Sequence, residues 1–264
     1  MIARGRRPCL AAVRIGDDPG AISYSRSQSA SAAALGIEYR LIELAATRNP
    51  SAIEAEIERL NLDPSVHGIM LHMPVPAGHD GFRLQQLIDP AKDVEGVGAA
   101  NFGRLAMGRP ALAPCTAAAA FACLTSVRPG LEGIRAAVVG RSSIVGKPLA
   151  MLLLAANATV TQCHSRTRDL AAHTRRAEVL LVAAGNPGLI GAEHVSPGTI
   201  VIDVGTNRVN VMGGDGKPIS RLVGDVRFDE VAEVAGAITP VPGGVGPVTA
   251  AMLMANTVQA ASRE

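Results

Sequence analysis

Two rhythms of apolar and polar positions take turns along this chain. Short strand-like runs at 10–15, 38–44 and 66–71 are separated by stretches of helical period at about 21–35 and 51–60, and each is bounded by glycine or proline. The alternation returns further on. An apolar run from Ile134 to Val139 ends in the turn 140–148, a helical stretch follows at 149–156, and further strands are expected at 159–163, 179–183 and 199–204. Strands this uniformly apolar suit a parallel sheet covered by helices on both faces, so the pattern predicts an α/β protein of βαβ units. Between Pro90 and Pro114 the periodicity breaks into expected loops carrying Lys92-Asp93-Val94-Glu95-Gly96 and Pro114-Cys115-Thr116. A hinge near there divides the chain into an N-terminal α/β domain, 1–114, and a Rossmann-type domain, 115–247, with a last helix at 248–264 returning to the first. Asp215-Gly216-Lys217 reads as a hairpin-like turn.

Composition narrows the function classes. Lys and Arg number 25 against 23 Asp and Glu, a net charge of +2, which is no electrostatic footprint for nucleic acid. With no Trp, two Tyr and four Phe, the chain also lacks platforms for stacking single-stranded bases. Cys9, Cys115, Cys123 and Cys163 show no paired spacing and no partnership with histidine, so they read as reduced core residues, and no metal site is expected. No run reaches the roughly 18 apolar residues of a membrane helix. The basic stretch 1–8 enters a strand without an export signal's apolar region, so the expectation is a cytoplasmic protein.

Candidate chemistry begins at the turn Gly140-Arg141-Ser142-Ser143-Ile144-Val145-Gly146, a strand-to-helix connection whose free N–H groups and helix dipole suit a pyrophosphate. The spacing is not that of the usual dinucleotide fingerprint, and an ordinary α/β turn needs such glycines too. The next strand ends in Cys163-His164-Ser165-Arg166-Thr167-Arg168, where an NAD site would place an acidic residue for the ribose hydroxyl. Hydroxyls and guanidiniums suit a 2′-phosphate, with Arg141 as a second cation, so NADP is favoured over NAD. A solvated loop with surface arginines is the alternative. The stretch Thr239-Pro240-Val241-Pro242-Gly243-Gly244-Val245-Gly246-Pro247 is stiff and poor in side chains, fit for a planar ligand against backbone or for a plain connector into the last helix.

Taken together, Gly140-Arg141-Ser142-x-Ile144-Val145-Gly146-x-Pro148, His164-Ser165-Arg166-Thr167, Asp203-Val204-Gly205-x-Asn207-Arg208, Gly224-Asp225-Val226 and Pro240 to Pro247 closely resemble the methylenetetrahydrofolate dehydrogenase/cyclohydrolase (FolD) family in order and spacing. The resemblance implies a two-domain fold with a cleft between the domains, a homodimer, and NADP-linked oxidation of 5,10-methylenetetrahydrofolate to the 5,10-methenyl form, followed in most members by hydrolysis to 10-formyltetrahydrofolate. It implies cofactor contacts from Gly140, Arg141, Ser142, Ile144, Val145, His164, Ser165, Arg166 and Thr206. It further implies folate contacts from Tyr24, Glu95, Pro242, Gly243 and Gly244, and catalytic positions at Tyr24, Gln28, His72 and Glu95.

At those positions the first half departs from the family. A Tyr-x-x-x-Lys pair, whose spacing puts both side chains on one helix face, is here Tyr24 and Gln28. The family's Ser before that Tyr is Ala21, the Gln of its G-I-x-x-Q-x-P is His72, and the second Asp of its K-D-V-D-G is Glu95. Hydride transfer needs mainly positioning, because the folate nitrogens stabilise the cationic product. Hydrolysis needs a group that moves protons, and Gln28 cannot titrate. Dehydrogenase activity is therefore expected to survive and cyclohydrolase activity to be lost or much weakened. His72 is either a substitute base or, the favoured reading, hydrogen-bonded structure. Glu95 keeps a carboxylate for the pterin edge on a longer arm, which tilts the pterin or changes the substrate. Tyr24 offers a surface for the aminobenzoyl ring or is a half-buried helix residue. Two alternatives stay open: a paralogue acting on another pterin or one-carbon substrate, and a non-catalytic NADP-binding partner protein.

Overall fold

The computed structural model describes residues 7–109, 111–212 and 218–262, which form two compact units, Met1–Cys115 with Ala250–Glu264 and Thr116–Thr249. The first unit is built on three parallel strands, β1 (Cys9–Ile15), β2 (Glu38–Leu44) and β3 (Gly68–Leu71), in the order β2-β1-β3. Every residue of β1 is buried, because helices cover both faces of the sheet. Cys9, Ala11, Val13 and Ile15 face one core with Ile53, Ile57 and Leu60 of α2 (Pro50–Leu62). Leu10 and Ala12 face the other, with Ala32 of α1 (Pro19–Ala34), Met70, Leu253 and Met254. Fully burying one such Leu or Ile is worth about 1.5–3 kcal/mol.

Strand parity places the polar residues too. Leu10 pairs with Tyr39 and Gly68, Ala12 with Leu41 and Met70, and Arg14 with Glu43. Paired residues of parallel strands share a face, so Arg14, Tyr39 and, one step beyond β3, His72 belong to the face that α1 covers. Helix α1 buries Ala21, Ser25, Gln28 and Ala32, at spacings of four, three and four along a single face, and is capped by Asp18, whose carboxylate accepts from Ala21 N at 2.8 Å.

The second unit holds a five-stranded parallel sheet of order β10-β7-β6-β4-β5, from β4 (Arg135–Val139), β5 (Thr159–Cys163), β6 (Val179–Val182), β7 (Ile200–Asp203) and β10 (Ala237–Ile238). Helices α5 (Cys115–Val127), α6 (Gly146–Ala155), α7 (Leu170–Thr174) and α8 (Phe228–Ala232) complete it, and β8 (Asn207–Met212) pairs antiparallel with β9 (Pro218–Val223). The hairpin-like turn expected at Asp215-Gly216-Lys217 lies outside the described residues.

Several helices stand where the sequence reading placed none, α5, α7 and α8 among them. In the stretch 90–114, expected as loop, α4 (Ala99–Ala106) fully buries only Asn101, with Phe102 and Leu105 half-buried, and at eight residues is too short to show a period in the sequence. It is anchored by Asp93, which accepts from Gly98 N at 2.8 Å and from Asn101 Nδ2 at 3.0 Å. The six residues of α3 (Gly81–Gln86) are too few to show a period, and the Asp80 carboxylate caps them through Arg83 N. The final helix, α9 (Val245–Ala261), starts three residues ahead of the expected Val248 because proline is well tolerated in a first turn. Among the described residues no helix is long and apolar enough to cross a membrane.

Candidate active site

In the first unit, α1, β2 and the ends of β1 and β3 bring Tyr24, Gln28, Tyr39, His72 and Arg14 together. Gln28 is buried; its Oε1 accepts from the Tyr39 hydroxyl at 3.1 Å, and its Nε2 has no hydrogen-bond partner. Tyr39 Oη also lies 3.3 Å from His72 Nε2. The Tyr24 ring meets the His72 ring edge-on, centroids 6.2 Å apart and planes at 90°. Arg14 forms an ion pair with Glu43 across the β1/β2 pair while its Nε stays unpaired.

Burial and the nearby Arg14 guanidinium push the His72 imidazole down to about 4, so the ring is neutral at physiological pH. Glu95, in the loop after β3, runs the other way. Burial first, and the Asp93 carboxylate second, raise it to about 7, against the 3.4 Å contact from Leu71 N to its Oε2. Burial also raises the Tyr24 hydroxyl, which therefore stays protonated. The Glu95 loop is tied down by Asn256 of α9, whose Nδ2 donates to Val94 O at 2.8 Å and Ala113 O at 3.2 Å.

These shifts set a pH profile for stability. Unfolding lets His72 take a proton at its ordinary value near 6.5, so stability falls as pH drops from 6.5 towards 4. Burying Glu95 penalises its ionised form, so its contribution is lost as pH rises from 4.5 through 7. In His72→Gln the acid-side loss disappears, and the variant should gain on the order of 3 kcal/mol relative to the parent at pH 4. Urea midpoints measured from pH 4 to 7 test this, and parallel profiles for both proteins would refute it.

In the second unit β4 runs into Gly140, at φ +121°, where a Cβ would stand 2.0 Å from Ala183 O. Only glycine fits. A Cβ on Gly146 would likewise meet Gly140 O at 2.2 Å, so strand end and helix start are in backbone contact. Ser142 Oγ takes Val145 N at 3.2 Å and Gly146 N at 3.3 Å at the head of α6. Beside this turn is a cavity of about 520 Å³ lined by Gly140, Arg141, Ser142, His164, Ser165 and Thr167 from the β4 and β5 ends, together with Ala183, Ala184 and Asn186 beyond β6. Backbone donors, hydroxyls and a guanidinium in one recess are a donor set for phosphate groups.

Of the expected cofactor residues, Gly140, Arg141, Ser142, His164 and Ser165 line that cavity, whereas Ile144, Val145, Arg166 and Thr206 do not. Arg166 is exposed, with its N–H on His164 Nδ1 at 3.1 Å, and Thr206 is exposed with its hydroxyl 3.4 Å from Val204 O. In the Pro242-Gly243-Gly244 turn, Gly243 has φ +103° and open space where a Cβ would stand, and a Cβ on Gly244 would meet Pro240 O at 2.5 Å.

The comparisons with known proteins agree with this layout. Residues 1–95 match the catalytic domain and residues 114–264 the NAD(P)-binding domain of the tetrahydrofolate dehydrogenase/cyclohydrolase models. The chain belongs to the tetrahydrofolate dehydrogenase/cyclohydrolase family. It is 50% identical over 258 residues, 98% of this chain and 88% of the relative, to the bifunctional protein FolD 1 of Rubrobacter xylanophilus. The crystal structure of the bifunctional FolD enzyme from Campylobacter jejuni superposes with a TM-score of 0.93 at 39% identity, covering 99% of this chain and 90% of the other. That of the Trypanosoma brucei FolD enzyme, complexed with NADP cofactor and inhibitor, does so with a TM-score of 0.91 at 39% identity, covering 98% and 88%.

Within this family member the structure adds residues that the sequence reading passed over. Tyr39 and Arg14 join the Gln28 group; the parity of β1 and β2 is their one sequence signal. Asp225 was only part of a motif, yet its carboxylate accepts from Ala184 N, Gly185 N, Asn186 N and Asn207 Nδ2 at 2.6–2.9 Å and shapes the cavity floor. Asp203 does related work, accepting from Gly205 N, Asp225 N and Val226 N at 2.9–3.1 Å.

Proposed function

We propose that this FolD chain is an NADP-dependent dehydrogenase that oxidises 5,10-methylenetetrahydrofolate to the 5,10-methenyl form, with hydrolysis of the methenyl bridge lost or much weakened. The observation that carries the reading is the buried, non-titrating amide of Gln28 in an otherwise polar group beside Tyr24. NADP supplies the hydride acceptor. The cavity at the β4 and β5 ends would hold its phosphates through Ser142 and Arg141, with Ser165 toward the ribose phosphate and the exposed Arg166, the next residue along, reaching it from outside the cavity. Tyr24 packs on the aminobenzoyl ring, Glu95 accepts from the amino-pyrimidine edge, and neither has to move a proton for the hydride to leave.

Hydrolysis makes a different demand, since the attacking water must lose a proton. Gln28 has no titratable group, and the neutral imidazole of His72, held down near 4, is a weak base. The protein acts as a homodimer in the cytoplasm. A second reading, oxidation of a related pterin, draws on the longer arm of Glu95 and is separated from the first by substrate profiling.

Purified protein given 5,10-methylenetetrahydrofolate and NADP should form NADPH with methenyl product accumulating; no NADPH from folded protein would sink the proposal. Arg166→Ala should weaken NADP binding by about 10-fold or more and leave NAD binding nearly unchanged, the loss of one charge-assisted phosphate contact. Titration calorimetry with both dinucleotides reads this, and equal losses for the two would remove Arg166 from the phosphate site.

A further inference from the structure

Gln28 replaces a titratable residue with an amide whose two ends differ, and which end faces the substrate decides what the site can do. Oxygen forward offers an acceptor; nitrogen forward offers a donor. The residue that distinguishes them is Tyr39, which touches Gln28 at 3.1 Å and His72 at 3.3 Å and sits on a strand that the family motifs do not reach. A neutral His72 has a single ring N–H. With that proton on Nε2, the ring donates to the Tyr39 oxygen, and the Tyr39 proton is directed at Gln28 Oε1. The chain of bonds then has one direction, from β3 through β2 into α1.

At its far end Gln28 Nε2 is buried without a well-formed hydrogen bond, its nearest polar neighbour being the Tyr24 hydroxyl one helical turn back. A buried N–H pair without a well-formed bond is costly, and a water or ligand acceptor relieves it. Tyr24 is 43% exposed, so the group opens to solvent on that side.

We infer that Tyr39 is a positioning residue for this site: by donating to Gln28 Oε1 it locks the amide with Nε2 forward, so that Gln28 presents a hydrogen-bond donor to a lone pair of the bound folate. The inference rests on the proposed folate reaction. It explains how an amide keeps the binding half of the replaced ammonium's work, since both donate protons in hydrogen bonds, while losing the proton-transfer half. Without the Tyr39 hydroxyl the amide has no reason to prefer one orientation, and a flipped amide sets oxygen against the substrate lone pair.

A double-mutant cycle on NADPH formation tests it, using wild type, Tyr39→Phe, Gln28→Met and the pair, with varied 5,10-methylenetetrahydrofolate at saturating NADP. Tyr39→Phe should lower kcat/KM about 10-fold when Gln28 is present, the worth of one hydrogen bond, and less than about 2-fold when Met stands at 28. Equal losses in both backgrounds would make Tyr39 a packing residue, and no loss in either would remove it from the site; both overturn the inference. A second measurement separates its failure from that of the folate reading. In protein labelled with ¹⁵N-glutamine, the Gln28 side-chain NH₂ signals, assigned by their absence in Gln28→Met, should be one sharp pair in wild type and broadened or doubled in Tyr39→Phe. An unchanged sharp pair would overturn the positioning role whatever the enzyme assay shows.

Discussion

Gln28→Lys should restore hydrolysis of the methenyl bridge, raising its rate by about 10²-fold or more over wild type, in the range of a well-placed general base. The geometry favours the gain. Position 28 is buried on the inner face of α1, with the neutral His72 and the Tyr39 hydroxyl at hand and the Arg14 guanidinium near His72. Burial and a neighbouring cation both disfavour a second positive charge, so a lysine there should titrate well below its ordinary value, close to where a base is most useful. The restored hydrolysis should therefore rise with pH through that lowered value and level off above it. The same burial costs stability, and the variant should melt earlier than wild type, most clearly at low pH where the new amine is charged.

Following methenyl absorbance and NADPH in one reaction reads both steps. If the folded Lys variant hydrolyses no faster than wild type, position 28 is not what limits the reaction. If wild type already hydrolyses rapidly, the base is elsewhere, and a loss on His72→Gln would identify it.

The second large effect is expected at Asp225. Replacing it by Ala withdraws the acceptor from Ala184 N, Gly185 N, Asn186 N and Asn207 Nδ2, all within 2.9 Å and about a carboxylate that is itself fully buried. Each orphaned donor costs about 1–3 kcal/mol, and water admitted to the gap recovers only part. A loss of about 4 kcal/mol or more is expected for the second unit, at the upper end for one substitution. Because Ala184 and Asn186 line the cavity beside Gly140, NADP binding should weaken by at least about 10²-fold under conditions where the variant is still folded. Urea unfolding and dinucleotide titration check the two halves; a destabilisation under about 1 kcal/mol with unchanged affinity would show that the loop after β6 holds its shape without the carboxylate.

Much of this was legible in the sequence because it is local. The runs at 38–44 and 159–163 became β2 and β5 with those bounds, edge strands of mixed apolar and polar residues that turns bound at each end. The need for glycine at 140 follows from a strand that turns straight into a helix, and the motifs along the second half carried the family. Position 28 could be read as a missing titratable group because the family resemblance implies a lysine four residues after Tyr24.

What the sequence could not show are partnerships across distance. Tyr39 lies eleven residues from Gln28 and 33 from His72, and only the parallel register of β1 with β2 and β3 brings the three to one face. Helix α4 is only eight residues long and is anchored by the Asp93 carboxylate, and the Glu95 loop is held by Asn256, 162 residues from its Val94 partner. The raised Glu95 and lowered His72 values likewise come from burial that only packing creates. Periodicity reports which face of an element is apolar. Which polar atoms then meet on that face is decided by register and packing, because hydrogen bonds depend on ångström-scale positions that residue type and spacing do not carry.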